Sequence, residues 1–320
     1  MRTHRLGSNG PELSVVGYGA WEAGGTAWGP NESDDAVIGA MRSALDAGIT
    51  WIDTAEVYGD GVSESLVGRA IAGRRDEVIV ASKVAPAPEG SGFRPEQIRE
   101  ACDASLGRLG TDVIDLYQLH WPDSSGVALE ETWGAMAGLV DAGKVRSIGV
   151  SNFDRELIER CGPIRHVDSL QQEFSMLNRR DAALIAWCGE RGTGVVSYGP
   201  LAFGLLTGAI TAETAFGEGD WRGGDGDPDD PDEVDLFAAD VLPGALAVVD
   251  RLRPIAARVG ANLPQLALAW NVHQPGVTSA IAGSRNADHV RSNAEGGDIV
   301  LDAATIDEVH GILDDANVGG

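Results

Sequence analysis

Lysine, cysteine and long apolar runs are all scarce in this 320-residue sequence. No apolar run approaches the ~18 residues that a membrane-spanning helix needs, so a membrane partner is not expected. The start, "MRTHRLGSNGPELSVVGYG", lacks the apolar stretch of a secretory signal, which points to the cytoplasm. Three cysteines (Cys102, Cys161, Cys188) form no CxxC pair and fall in helix-like segments, so buried free thiols are expected rather than disulfides or a metal site. Basic charge is short: 24 Lys+Arg stand against 49 Asp+Glu, a formal charge of -25. Phosphate binding needs a basic face, and this balance excludes a generic nucleic-acid binder. Such acidity fits either a high-salt adaptation or a coding bias that favours arginine over lysine. Only Lys83 and Lys144 are lysines. An ammonium can lose its proton or tune a neighbour in a way that a guanidinium cannot, which singles out Lys83 at the end of "DEVIVASK".

What is present is an alternation. Strand-like runs lie near 15–19, 50–53, 78–82, 114–119, 146–150, 169–172, 194–198 and 278–282, with helical patterns between them. "SDDAVIGAMRSALDAG" has a serine N-cap, apolar residues at three- and four-residue spacing, and a C-terminal glycine. "RPEQIREACDASLGRLG", "ALEETWGAMAGLVDAG" and "RDAALIAWCGERG" read the same way. Eight strands with interposed helices are the sequence form of an α/β (β/α)8 TIM barrel. A doubly wound sheet would place a glycine fingerprint at the first strand-to-helix turn, but "GYGAWEAGG" has Glu22 where the third glycine belongs. Residues 1–320 are therefore expected to form one barrel domain. Residues 1–14, with the turn "LGSNGPEL", predict an N-terminal β-hairpin. Residues 212–240 form a long acidic loop after the seventh strand, and a loop of that length in a compact barrel is usually functional or disordered. Its "DGDPDDPDE" superficially resembles a calcium loop. Asp230 stands where glycine is required and Leu236 where the bidentate glutamate belongs, so a solvated lid is expected and no metal.

Active sites of such barrels are built at the C-terminal ends of the strands. Strand two ends at Asp53, with Tyr58 in the next loop; strand three ends at Lys83 and strand four at His120. Strand five ends at Ser151 and Asn152, strand six carries Gln171, and strand seven ends at Tyr198. A lone histidine at a strand end is usually structural. Four titratable groups converging on one rim are hard to read as packing. Lys83 beside Tyr58 would stabilise a phenolate and lower its pKa, Asp53 would orient Lys83, and His120 would donate to the same oxygen or to a substrate carbonyl. The set suits a general acid that protonates a developing alkoxide. Without a nucleophile or a metal cluster, a proton donor needs an electron source, so a hydride-donating cofactor is implied. G-x-S-x-G and H-E-x-x-H are both absent from the sequence.

"DTAEVYG", "ASK", "YQLHWPD", "AGKVRSIGVSNF", "LQQEFSMLNR", "SYGPLAFGLLTG" and "IAGSRNADHVRSNA" occur in an order and spacing that resembles the aldo-keto reductase family from about residue 5 to about 315. The sequence looks most similar to the bacterial sugar- and inositol-type reductases, which also resemble potassium-channel β subunits. The resemblance implies the catalytic set Asp53, Tyr58, Lys83 and His120. It implies Ser151, Asn152 and Gln171 around a nicotinamide carboxamide, with the Tyr198 ring stacked on the nicotinamide. Gly199, Leu201 and Gly204 would line the pyrophosphate, and Gly283, Ser284, Arg285, His289 and Asn293 would surround the adenosine. It implies NADPH, or NADH, and reversible reduction of an aldehyde or ketone, a sugar among the candidates, to an alcohol.

The sequence departs from the family pattern at Ala282, which replaces a usual proline, and at His289, where many NADPH-specific members have an arginine for the 2′-phosphate. The acidic loop should also repel phosphates, with Arg285 and Arg291 as compensating cations. Trp21 and Trp121 are expected to line the substrate mouth, with Trp28 and Trp221 as further candidates and Tyr18 and Glu56 as neighbours. Trp51, Trp133, Trp187 and Trp270 are expected in the core. Two other functions fit the same barrel: a cofactor-sensing regulatory protein like the channel β subunits, and a sugar epimerase or lyase that retains its cofactor.

Overall fold

The computed structural model describes residues 1–85, 93–217, 219–223 and 235–316. The expected hairpin forms: β1 (Thr3–Arg5) pairs antiparallel with β2 (Glu12–Ser14). Eight parallel strands then close a barrel: β3 (Val16–Gly19), β4 (Trp51–Asp53), β5 (Ile79–Val84), β6 (Ile114–Leu119), β7 (Val145–Ser151), β8 (Ser169–Glu173), β9 (Gly194–Tyr198) and β10 (Val277–Ala282). They pair in chain order, and β10 closes the ring between β9 and β3. This is the expected (β/α)8 barrel.

The helices wrap it: α1 (Asp34–Asp46), α2 (Val62–Ile71), α3 (Pro95–Leu109), α4 (Leu129–Asp141), α5 (Arg155–Cys161), α6 (Ala182–Glu190), α7 (Leu242–Arg258), α8 (Leu263–Val272), α9 (Ala287–Gly296) and α10 (Ala303–Ala316). Their ends follow local chemistry. Ser33 accepts from the Ala36 N–H at the start of α1, Pro95 occupies the first turn of α3, and Gly110 ends α3 in a left-handed conformation.

The core has two layers. Outward-facing strand residues pack against the helices, while Leu6, Leu13, Trp51, Ala81, Leu116, Val196 and Ile281 fill the barrel interior. Leu6 and Leu13 come from the hairpin and plug the bottom, where the Ser8 N–H donates to the Gly192 carbonyl at 2.9 Å. Trp51 fills the interior because Gly17 faces it without a side chain. A Cβ at Gly17 would lie 2.1 Å from the indole. The indole N–H is satisfied by Ser279 Oγ at 3.1 Å and by the Ser14 carbonyl at 3.2 Å. Trp133 and Trp270 are core residues as expected. Trp187 is not fully enclosed; it is half-buried between the guanidinium groups of Arg155 and Arg191. The three cysteines are free and buried, and burial pushes each thiol up to about 12. Among the described residues no helix is long and apolar enough to cross a membrane.

The acidic loop is described only in part. Residues 224–234, with the calcium-like stretch, lie outside the described residues. On its far side Leu236 is buried in the core, which ties the return of the loop to the barrel wall just before α7.

Candidate active site

A cleft of about 1240 Å³ opens at the C-terminal ends of the strands. Strand alternation sets its floor: Asp53, Lys83, Ser151 and Gln171 sit at the tops of β4, β5, β7 and β8 with their side chains turned inward. Lys83 is completely buried. Its ammonium donates to Asp53 Oδ1 at 2.6 Å, to the Thr54 carbonyl at 3.0 Å and to the Tyr58 hydroxyl at 3.1 Å. All three of its protons are therefore used. The second Asp53 oxygen accepts from the Gln171 amide at 2.9 Å. Gln171 thus lines the cleft and also completes the carboxylate's shell, a contact that sequence analysis does not give.

Tyr58 stands on the β4–α2 loop, and backbone packing brings it over Lys83. Gly59 has φ +63°, and a Cβ there would lie 2.2 Å from the Gly24 carbonyl oxygen, so two glycines let the first and second βα loops touch. Thr54 and Ser63 are hydrogen-bonded at 2.8 Å, and Ser63 donates to the Ala20 carbonyl at 2.7 Å, which pins the ends of the Tyr58 loop. His120 lies 5.6 Å ring to ring from Tyr58, and its buried Nδ1 has no hydrogen-bond partner in the structure.

The electrostatics differ from the sequence expectation in one respect. Lys83 does pull the Tyr58 phenol down, but burial outweighs it and the phenol is raised above its ordinary value. Burial also acts against the Lys83 ammonium, yet Asp53 and Tyr58 together hold its pKa above the usual lysine value. His120 is driven well below the ordinary histidine value, first by burial and then by Lys83. At neutral pH the site therefore presents a protonated phenol, a charged ammonium paired with a carboxylate, and a neutral imidazole.

The remaining expected residues line the same cleft: Trp21, Trp121, Ser151, Asn152, Tyr198, Gly199, Leu201, Gly204, Gly283, Ser284, Arg285, His289 and Asn293. Asn152 has φ +61°, unusual for a residue with a side chain. Its amide donates to the His120 carbonyl at 3.2 Å and accepts from the Tyr198 hydroxyl at 3.0 Å. Arg285 lines the cleft with its guanidinium already engaged. Its guanidinium donates to the Trp28, Gly29 and Pro30 carbonyls at 2.8 to 3.0 Å, with Glu22 3.6 Å away. Arg291 pairs with Asp288 and does not line the cleft. Tyr18 and Glu56 are not cleft residues either. Tyr18 is buried and donates to the Ser284 carbonyl, and Glu56 accepts from the Ala85 N–H.

Trp28 lines the cleft, whereas Trp221 packs behind Trp21 with its ring 6.1 Å away. Sequence reasoning missed Thr207, Asp220, Arg222, Arg253, Asn262 and Ser292. Asp220 and Arg222 enter because a β-bridge between Trp28 and Asp220 and a 3.1 Å bond from Trp221 N–H to the Ala27 carbonyl join the first and seventh loops. No local pattern encodes that pairing. Arg253 and Asn262 belong to the α7–α8 corner, whose periodicity reads only as outer helix.

Residues 15–314 match the family model for the aldo/keto reductase family, and the chain belongs to that family. It is 37% identical over 298 residues to the aldo-keto reductase YhdN of Bacillus subtilis, covering 91% of this chain and 87% of that protein. It is 32% identical over 312 residues to the NADH-specific methylglyoxal reductase of Escherichia coli, covering 92% of each. The solved structure of an aldo-keto reductase from Klebsiella pneumoniae in complex with NADPH superposes with a TM-score of 0.76 at 31% identity, covering 98% of this chain and 95% of that one.

Proposed function

We propose that the protein is a nicotinamide-dependent carbonyl reductase, reversible as an alcohol dehydrogenase, with Tyr58 as the general acid. The observation that carries this reading is the buried Asp53–Lys83–Tyr58 chain ending at a phenol on the cleft floor beside His120. The cleft residues fit a dinucleotide: the volume exceeds the ~300–1000 Å³ of ordinary small-ligand sites. Asn152, held at φ +61° between His120 and Tyr198, is a strained polar group of the kind that functional sites retain.

When bound, the reduced nicotinamide supplies the hydride. The chain's own residues then manage the proton. The Tyr58 hydroxyl delivers it to the carbonyl oxygen as negative charge develops there. Lys83, fixed by Asp53 and the Thr54 carbonyl, stabilises the resulting phenolate at 3.1 Å. Neutral His120 orients the carbonyl by donating a hydrogen bond. Ser151, Asn152 and Gln171 would hold the carboxamide, Tyr198 the nicotinamide face, Gly199, Leu201 and Gly204 the pyrophosphate, and Gly283, Ser284, Arg285, His289 and Asn293 the adenosine, all of them residues that line the cleft. We read the 320 residues as one such barrel unit, acting in the cytoplasm.

We favour NADPH because two solved relatives are in complex with NADPH or NADP, and hold NADH acceptable because one relative is named as NADH-specific. Fluorescence titration with both dinucleotides, followed by absorbance at the nicotinamide band against aldehydes, ketones and sugars, tests the reading. Oxidation of the bound dinucleotide by a panel member supports it. Tight binding without turnover would replace it with a cofactor sensor or a cofactor-retaining isomerase.

A further inference from the structure

The cations that line the cleft do not face the reacting end as free groups. Among the described residues they are Arg222, Arg253 and Arg285, with His289 as the titratable fourth. Arg222 makes a two-point pair with Asp220 at 2.9 and 2.6 Å, donates to the Phe203 carbonyl at 3.0 Å, and stacks 4.6 Å from the Trp28 ring. Arg285 is occupied by the backbone carbonyls of 28–30 and by Glu22. Arg253 stands on α7, pairs with Asp250 at 3.0 Å and donates to the Gly208 carbonyl at 3.1 Å. His289 sits beside Ser284, 3.5 Å from its hydroxyl. Lys83 lies under the floor and is neutralised by Asp53.

Segments 86–92, 224–234 and 317–320 and position 218 contain no lysine or arginine, so they supply no further cation. Around Tyr58 and His120 the walls are apolar: Trp21, Trp28, Val57, Trp121 and Phe203. The Trp21 ring lies 5.3 Å from Trp28, 6.3 Å from Tyr58 and 6.5 Å from Phe203, which makes one continuous aromatic surface.

We infer that the substrate is an uncharged aldehyde or ketone, and that the cleft discriminates against carbonyl compounds carrying a carboxylate or phosphate away from the reacting carbon. This inference rests on the reductase reading. An anionic substituent in this mouth loses water against indole and phenyl faces and finds no unpaired cation, since Arg222 is already paired with Asp220 and Arg285 with Glu22. A neutral body is held by ring contact alone.

The test is a matched pair. 4-Formylbenzamide and 4-formylbenzoate have nearly the same shape and differ by one charge. With saturating dinucleotide, kcat/KM for the amide is expected to exceed that for the carboxylate by about tenfold or more, the ratio that a single uncompensated charge readily gives. Val57 lines the cleft at its exposed rim, and Val57→Arg places a guanidinium there. In that variant the amide-to-carboxylate ratio should shrink several-fold, a change that a general loss of activity affecting both substrates alike would not produce. Equal or better use of the carboxylate by the natural protein, or an unchanged ratio in Val57→Arg, would overturn the inference. Failure to reduce any neutral carbonyl while dinucleotide still binds would remove the reductase reading itself, and this inference with it.

Discussion

At the scale of single residues, the site consists of groups whose protonation is set by burial first and by charge second. Tyr58 is raised and His120 is lowered, so the reducing form persists from mildly acidic pH upward. Reductive kcat/KM is therefore expected to stay flat between about pH 6 and 9 and to fall only above the ordinary phenol value of about 10, because burial raises the Tyr58 hydroxyl. A bell with an acid limb near pH 6.5 would show that an imidazolium is required, and the assignment of a neutral His120 would fail. Asp53→Ala leaves a fully buried ammonium without its carboxylate, which should cost about 3–5 kcal/mol. Denaturant unfolding at neutral pH reads that loss directly, and a loss below about 1 kcal/mol would mean that the ion pair is not holding the floor together. The identities of Asp53, Tyr58, Lys83 and His120 are legible in the sequence because a barrel puts its chemistry at strand ends. The direction of the Tyr58 shift is not legible, because the ammonium is visible in the sequence and the burial is not. The anchoring of Arg285 is likewise not legible: its partners are carbonyls more than 250 residues away, and carbonyls carry no sequence signature.

Among the elements, strands and helices are more legible than loops. The eight strands fall within a residue or two of their expected runs, since parallel strands buried on both faces are short and mostly apolar, although β8 carries two glutamines. The "GYGAWEAGG" and "VYGDG" loops reveal their glycines but not that Gly24 and Gly59 are pressed against each other. Gly59→Ala forces a Cβ into the Gly24 carbonyl at a positive φ, and the loop must move Tyr58 to relieve it. We expect kcat to drop about a hundredfold with thermal stability little changed, since the strain falls on a surface loop rather than the core. Gly17→Ala is the contrasting case. Its Cβ would meet the Trp51 indole in the middle of the barrel, so the melting temperature should fall sharply along with activity. Similar behaviour of the two variants in a melting experiment would show that the Gly24–Gly59 contact is a folding contact rather than a positioning one.

For the molecule as a whole, the formal charge of -25 is the property most plainly written in the sequence and the least tied to the fold. Self-repulsion on this scale is screened when the Debye length falls to ~3 Å in molar salt. Activity should survive or rise in molar sodium chloride, and the melting temperature should rise with it. Loss of both with added salt would leave coding bias as the better account of the composition. The three cysteines give a complementary readout of global opening. Fully buried, and with thiols raised to about 12, they should resist alkylation at neutral pH and react together once the chain unfolds.

The most direct test of the central claim is Tyr58→Phe, assayed for dinucleotide binding by fluorescence and for carbonyl reduction by absorbance on the same preparation. If Tyr58 is the proton donor, binding stays within a few-fold of the natural protein while kcat falls by about a hundred- to ten-thousandfold. A variant that binds dinucleotide and still turns over at close to the natural rate would contradict the account.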